Sequence, residues 1–361
     1  REEITRLLDE PQDVIAPAAL MLTKQGDPSE YELITEPDTD LLHLNAVFGL
    51  GFQSDPEYPG LVFYDPTLDP DSERYEELKE ESKSDVQLFL KAMGLSRAEL
   101  GELITTEFVR TEYGVYVIGG GENVEIHSEK RIPEGVDASV QNDIERIHGL
   151  SEVALERMHR FTRLWRRVDW SIKELDLVLK KLAELGDVNG ITAFTLQDLA
   201  DILLVQRRFG LPAEELCALW SDLPDVSVVD GNNSLFDRLF NLPDFVRLDG
   251  AFPKDDETFL HSAFRDAPPP DPEVDYALHR LLAGLRVDDE KLFLLITGLR
   301  LPLGLDLASE ELSDKEFRLT LQNLSLLYRH ARLAEAFRIP ISQLFLLIYL
   351  APAITSDHIA A

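Results

Sequence analysis

Apolar residues recur at intervals of three and four along most of the chain from Ala138 onward, the repeat of a helix with one buried face. Leu155, Met158, Phe161, Trp165 and Val168 form one such stripe, and Arg157, Arg160, Arg163 and Arg167 occupy its other side. Helix starts are marked as well. In the run Trp170-Ser171-Ile172-Lys173-Glu174-Leu175 a Ser stands three residues before a Glu, so the hydroxyl accepts from the Glu amide while the carboxylate reaches back, a capping box. The same six-residue grammar returns as LSRAEL from Leu95, FTLQDL from Phe194 and LSDKEF from Leu312, and it predicts a helix after each. LSEVAL from Leu150 and VDDEKL from Val287 keep the cap and lose the acid. LPAEEL from Leu211 and IPISQL from Ile339 put Pro in the slot, which predicts a helix beginning one residue earlier with Pro in its first turn. The intervals between these starts are irregular, so no solenoid of fixed period is implied. The predicted fold is mainly α, an irregular stack of helical hairpins.

Other stretches break the helical repeat. Seven prolines between Pro11 and Pro66 allow only short helices in long connections over residues 1–71. From Ser72 to Leu103 the pattern predicts two helices with a stop at Gly94. Phe108 to Ile118 is rich in β-branched and aromatic residues, and Gly119-Gly120-Gly121 and Val124 to His127 follow, so one small β-hairpin is expected near 108–127. The triple glycine reads as its turn, since no helix start with the continuation of a nucleotide-binding loop follows. APPPDP from Ala267 is the candidate boundary between a layer over 72–267 and a second layer over 268–361, or a stiff connection within one domain. LFLLITGL from Leu292 and LFLLIYLAPAI from Leu344 are apolar on every side, which predicts helices buried all round; both fall short of the roughly 20 residues that cross a bilayer.

Composition narrows the partners. The chain has 361 residues, is 44% hydrophobic and carries a formal charge of −32 from 67 acidic and 35 basic side chains, a field that repels phosphate backbones and anionic membranes. Nucleic acid is therefore excluded as a partner, and the arginine stripe is expected to meet carboxylates on an adjacent helix or a neighbouring subunit. With one cysteine, Cys217, no internal disulfide exists. The opening REEITRLLDE has neither an initiator Met nor a secretory leader and reads as an excised region. Eight histidines show no metal-binding spacing, and neither a nucleophile elbow nor a Walker loop is present, so no enzyme, metal or cofactor is expected.

Three stretches carry a resemblance. Arg163-Leu164-Trp165-Arg166 followed by Trp170-Ser171-Ile172-Lys173-Glu174-Leu175-Asp176, the run Leu235-Phe236-Asp237-Arg238-Leu239-Phe240-Asn241, and Asn323-Leu324-Ser325-Leu326-Leu327-Tyr328-Arg329-His330-Ala331 resemble the α-helical shell of the A component of bacterial Tc toxins, the insecticidal toxin complexes. The first departs from the family's usual glycine in having Asp169 before Trp170, and the second has Leu242 inserted before Pro243. The third is the most specific, and the resemblance covers about Ser84 to Leu350. It implies a secreted or cell-surface, pore-forming protein that pentamerises into a bell-shaped prepore. The shell encloses a translocation channel and carries receptor-binding modules, a pH change opens it, and partner B and C components supply the toxic cargo. The chain lacks the long channel-forming segment, so the implied role is a structural shell fragment. The alternative is a free-standing helical adaptor for one protein partner. On this reading Arg157, Arg160, Arg163, Trp165, Trp170, Leu175, Phe236, Phe240, Tyr328 and Arg329 are candidates for structural or interaction roles. The charge of −32 further predicts repulsion between copies that is greatest at alkaline pH and relieved toward about pH 5, opposed by ion pairs around Arg157, Arg160 and Arg163.

Overall fold

The computed structural model describes residues 30–36, 40–48, 51–54, 62–64, 84–111, 124–130, 143–185, 190–228, 231–243, 246, 250–254, 259–261, 272–311 and 313–350. The chain is mainly α-helical and divides into two compact units, Arg1–Asp201 and Ile202–Ala361. The division falls well before the proline cluster, of which Ala267 to Asp271 lie outside the described residues.

In the first unit the elements are α1 (Glu30–Thr35), α2 (Leu41–Phe48), β1 (Phe52–Ser54), β2 (Val62–Tyr64), β3 (Ser84–Asp85), α3 (Val86–Met93), α4 (Arg97–Leu103) and α5 (Glu107–Thr111). Then come β4 (Glu125–Lys130), β5 (Asp143–His148), α6 (Glu152–Trp165), α7 (Ile172–Ala183) and α8 (Ala193–Phe209), the last of which contains the division. β1 and β2 pair antiparallel, and β5 lies between β3 and β4. The helix starts follow the caps: Ser96 and Ser171 close capping boxes with Glu99 and Glu174, and Ser151 accepts from the Ala154 amide. Gly94 ends α3 at φ 63°, a left-handed position that glycine adopts without strain. α6 packs against α1, α2 and α5, and its stripe of Leu155, Met158 and Phe161 is fully buried. Phe48 and Phe89 stack at 5.7 Å while Phe52 meets Phe48 edge-on at 6.0 Å, which closes the core beneath α2.

In the second unit are α9 (Ala213–Cys217), α10 (Leu235–Phe240), β6 (Phe259–His261), α11 (Pro272–Leu285), α12 (Asp289–Gly298), β7 (Glu316–Arg318), α13 (Leu321–Phe337) and α14 (Ile341–Leu350). α13 lies against α11, α12 and α14, and β6 pairs antiparallel with β7. One core runs through them, from Phe236 and Phe240 past Leu281, Leu292 and Leu295 to Leu324 and Leu327. Each such side chain, taken wholly out of water, stabilises the unit by about 1.5–3 kcal/mol. Gly284 of α11 is where Phe240 comes closest: a Cβ there would stand 2.5 Å from the Phe240 ring and 2.9 Å from the Leu239 carbonyl. Glycine inside a helix is worth about 1 kcal/mol less than alanine, yet Gly284→Ala should destabilise by about 1–3 kcal/mol because the ring and a backbone carbonyl must both move. A midpoint in urea that rises in the variant would refute that close approach.

Several sequence expectations change. Phe108 to Thr111 is the helix α5, not a strand, residues 112–123 lie outside the described residues, and β4 pairs with β5, not with the 108–118 run. The reason is a cap supplied from afar: the Asp176 carboxylate of α7 accepts from the Glu107 amide at 2.9 Å and from the Phe108 amide at 3.1 Å. A carboxylate at a helix N-terminus also interacts favourably with the positive end of the helix dipole. Asp176→Ala should therefore cost about 1–2 kcal/mol, with Asp176→Asn losing less, measured by thermal unfolding. α6 and α7 both pack on α5, with the Phe108 and Phe161 rings 5.8 Å apart. LSDKEF leads through a short 3₁₀ turn into β7, since Phe317 is buried opposite Leu260 and strand pairing prevails over the cap. FTLQDL lies inside α8, which begins earlier, where Thr192 and Thr195 exchange hydroxyl-to-amide bonds. Pro212 and Pro340 stand just before the first helical residue, not within the first turn.

The helices expected to be buried all round are not. In α14 only Ile341 and Leu344 are buried, with Phe345 and Ile348 half-buried, while Leu346, Leu347, Tyr349 and Leu350 are exposed by 55, 55, 81 and 66%. In α12 Phe293 is also exposed.

Candidate functional site

The ten candidate residues fall into separate clusters, and Arg157, Arg160, Trp165 and Arg329 donate to the protein's own backbone carbonyls. Arg157, Arg160 and Arg163 are buried on α6 and do not form a surface stripe. Arg160 pairs with Glu156 one turn earlier on its own helix, donates to the Ile191 carbonyl at 3.3 Å and lies over the Phe108 ring. Arg157 donates to the Val109 carbonyl at 3.3 Å. The long apolar stems of arginine allow this, since they fill a core while the guanidinium meets acceptors. The sequence expectation of carboxylates on another helix or subunit is thus replaced, for Arg160, by an in-helix pair.

His159, which the sequence did not single out, sits among these arginines. It is buried, meets Phe48 edge-on, and its Nε2 accepts from Arg163 Nε at 2.5 Å. Burial holds its pKa well below the ordinary histidine value, and the positive charges of Arg163, His43, Arg160 and Arg166 push it the same way. It is therefore the neutral acceptor in a cationic patch. On either side of the turn after α6, Trp165 is half-buried and donates its indole N–H to the Trp170 carbonyl at 2.9 Å, while Trp170 and Leu175 are buried.

In the second unit Phe236 and Phe240 are buried 5.2 Å apart and Phe252 stacks on Phe240 at 4.8 Å. Beside them Asn241 accepts from the Phe252 amide at 2.7 Å and from Arg280, and donates to Asp237. Arg280 also donates to the Phe240 carbonyl, at 3.1 and 2.6 Å, and to the Gly250 carbonyl at 2.8 Å. This arginine was missed, although a signal existed: it stands between Ala277 and Leu281, on the apolar stripe of α11. On α13 the Ser325 hydroxyl accepts from the Leu223 amide at 2.8 Å and donates to the Leu321 carbonyl. Arg329 is 2% exposed and donates to the carbonyls of Ala218 and Ser221 at 3.3 and 3.0 Å. His330 is bonded to the Leu326 carbonyl and stacked on Phe345; burial lowers its pKa despite that bond, and Arg329 adds to the effect.

Tyr328 differs from its neighbours in facing a cavity of about 30 Å³ with Arg286, Arg332, Glu215 and Glu335. Burial raises its pKa, with a further push from the Glu215 charge that Arg332 and Arg286 oppose, so its hydroxyl stays protonated. Among the described residues no group of three or more His, Cys, Asp or Glu is placed to hold a metal ion. No described helix alone is long and apolar enough to cross a membrane; α13 and α14 reach that length only together, across a 97° bend.

No family model and no curated protein matches the chain. Among solved structures, it is similar to a chain in the cryo-EM structure of Yersinia pseudotuberculosis TcaA-TcaB, at 14% identity and a TM-score of 0.36, a match that covers 86% of this chain and 14% of that one.

Proposed function

We propose that the chain is a structural shell segment of a Tc toxin A component, a part of the helical wall that encases a translocation channel and supports receptor-binding modules in a homopentamer. The observation that carries the reading is the use made of the three motif stretches. Asp176 of the first caps α5, Asn241 of the second holds Phe252 and Arg280, and Ser325 and Arg329 of the third hold the backbone that follows α9. Residues that fasten one element to another are what a load-carrying wall requires, and they leave little free chemistry for catalysis.

The resemblance of these motifs to the toxin family supports the choice of wall over any other scaffold. B and C components and a host receptor would then engage other parts of the assembly, outside the cell. The test is to express the complete parent gene product and image it by electron microscopy. A bell-shaped pentamer with this segment in its outer wall is expected; a monomer that captures one protein partner would replace the shell with the adaptor.

A further inference from the structure

The cavity in front of Tyr328 contains charged groups that are satisfied and donors that are not. Arg332 is satisfied: its Nε and Nη2 meet Glu215 at 2.7 and 2.6 Å, and its Nη1 meets Glu335. Those three side chains bind one another. Arg286 lines the same cavity, and its guanidinium makes no hydrogen bond or ion pair among the described residues. Arg286 is exposed, so its guanidinium stands at the mouth of the cavity, open to water and to any ligand that enters. The Tyr328 hydroxyl is the second such donor: the residue is 5% exposed, lines the cavity, and its hydroxyl has no hydrogen-bond partner among the described residues. The hydroxyl is not fully enclosed and opens on the cavity.

The backbone adds a separate observation. Arg286 has a φ of 55°, in the left-handed region at the end of α11, where glycine is favoured. Backbone geometry thus gives no reason for a long side chain at this position, whereas the cavity does. Arginine only donates, and a protonated phenol donates as well, so their common ligand must offer oxygen acceptors. The space holds about two water molecules, the size of one carboxylate and too small for a nucleotide. Leu239 and Ala331 offer apolar contact for a methyl or methylene beside it.

We propose that this cavity binds a carboxylate group, with Arg286 and the Tyr328 hydroxyl as its donors. Arg332 with Glu215 and Glu335 leaves one negative charge, which Arg286 balances, so the ligand approaches a site of no net charge and is held by directed hydrogen bonds. Two sources supply this chemistry: a free short-chain acid, or an acidic side chain of a polypeptide.

The whole chain should be titrated with sodium acetate, with a short uncharged-ended peptide containing one Glu, and with sodium chloride at matched ionic strength, followed by calorimetry and ligand-observed NMR. Saturable binding of acetate or of the peptide is expected, the tighter of the two identifying the source. Tyr328→Phe and Arg286→Gly should each weaken binding by about tenfold, the loss of one charge-assisted bond. Arg286→Gly suits the backbone and should keep or raise the thermal midpoint, so that lost binding is not lost folding. Absence of saturable binding by both probes, or binding that survives both substitutions, would overturn the proposal.

Discussion

Arg329→Ala should destabilise the second unit by about 3–5 kcal/mol. Its guanidinium donates to the Ala218 and Ser221 carbonyls from a position only 2% exposed. Removal leaves two carbonyls facing a void, and each unsatisfied buried group costs about 1–3 kcal/mol before the lost volume is counted. Burial lowers the pKa of Arg329 and the Asp222 charge opposes that shift, a sign that its charge is held at some expense and offset by acceptors and by a nearby carboxylate. Arg329→Lys should recover less than half, because an ammonium lacks the fork that reaches both carbonyls. Hydrogen exchange in urea, read over residues 202–350, separates this transition from that of the first unit. A loss below about 1 kcal/mol would mean that water reaches the carbonyls.

Acidification should destabilise the first unit through His159. Its folded pKa is depressed, so below the unfolded value near 6.5 the unfolded chain takes up a proton that the folded chain refuses. The stability it contributes is present above pH 6.5 and falls as pH drops toward the folded pKa, by up to about 1.4 kcal/mol per pH unit. His330 has the same sign in the second unit. His159→Gln keeps an acceptor for Arg163 and removes the titration, so its unfolding midpoint should vary less between pH 7.5 and 5. An unchanged slope in that variant would show that other groups govern the acid response.

This effect runs against the pH dependence expected from net charge. Diffuse repulsion between surface charges is screened by salt within about 8–10 Å. Carboxylates add nothing until pH approaches their own values near 4. Between pH 6.5 and 5 the buried histidine, surrounded by fixed positive charges and shielded from salt, exerts the larger influence on the fold of its unit. On α6 itself the carboxylate on Arg160 is Glu156 of the same helix.

Local order was legible because local rules produce it. Ser96, Ser151, Ser171 and Asp288 each cap a helix that begins at the next residue, and the capping chemistry needs nothing beyond three neighbouring residues. The stripe of Leu155, Met158 and Phe161, the stop at Gly94 and the mainly α class follow from the same short-range periodicity. What escaped depends on partners distant in sequence. Phe108 to Thr111 has strand-forming residues, yet Asp176 stands 68 positions from Phe108 and supplies the acceptors that make it a helix. Phe317 follows a helix cap, yet Leu260 opposite it makes a strand. The arginines of α6 look like a surface stripe on a helical wheel, and they are buried because α5 and the segment at Ile191 bring carbonyls to them. Burial of a polar group is decided by whether acceptors converge on it in space, and periodicity along one element carries no record of that convergence.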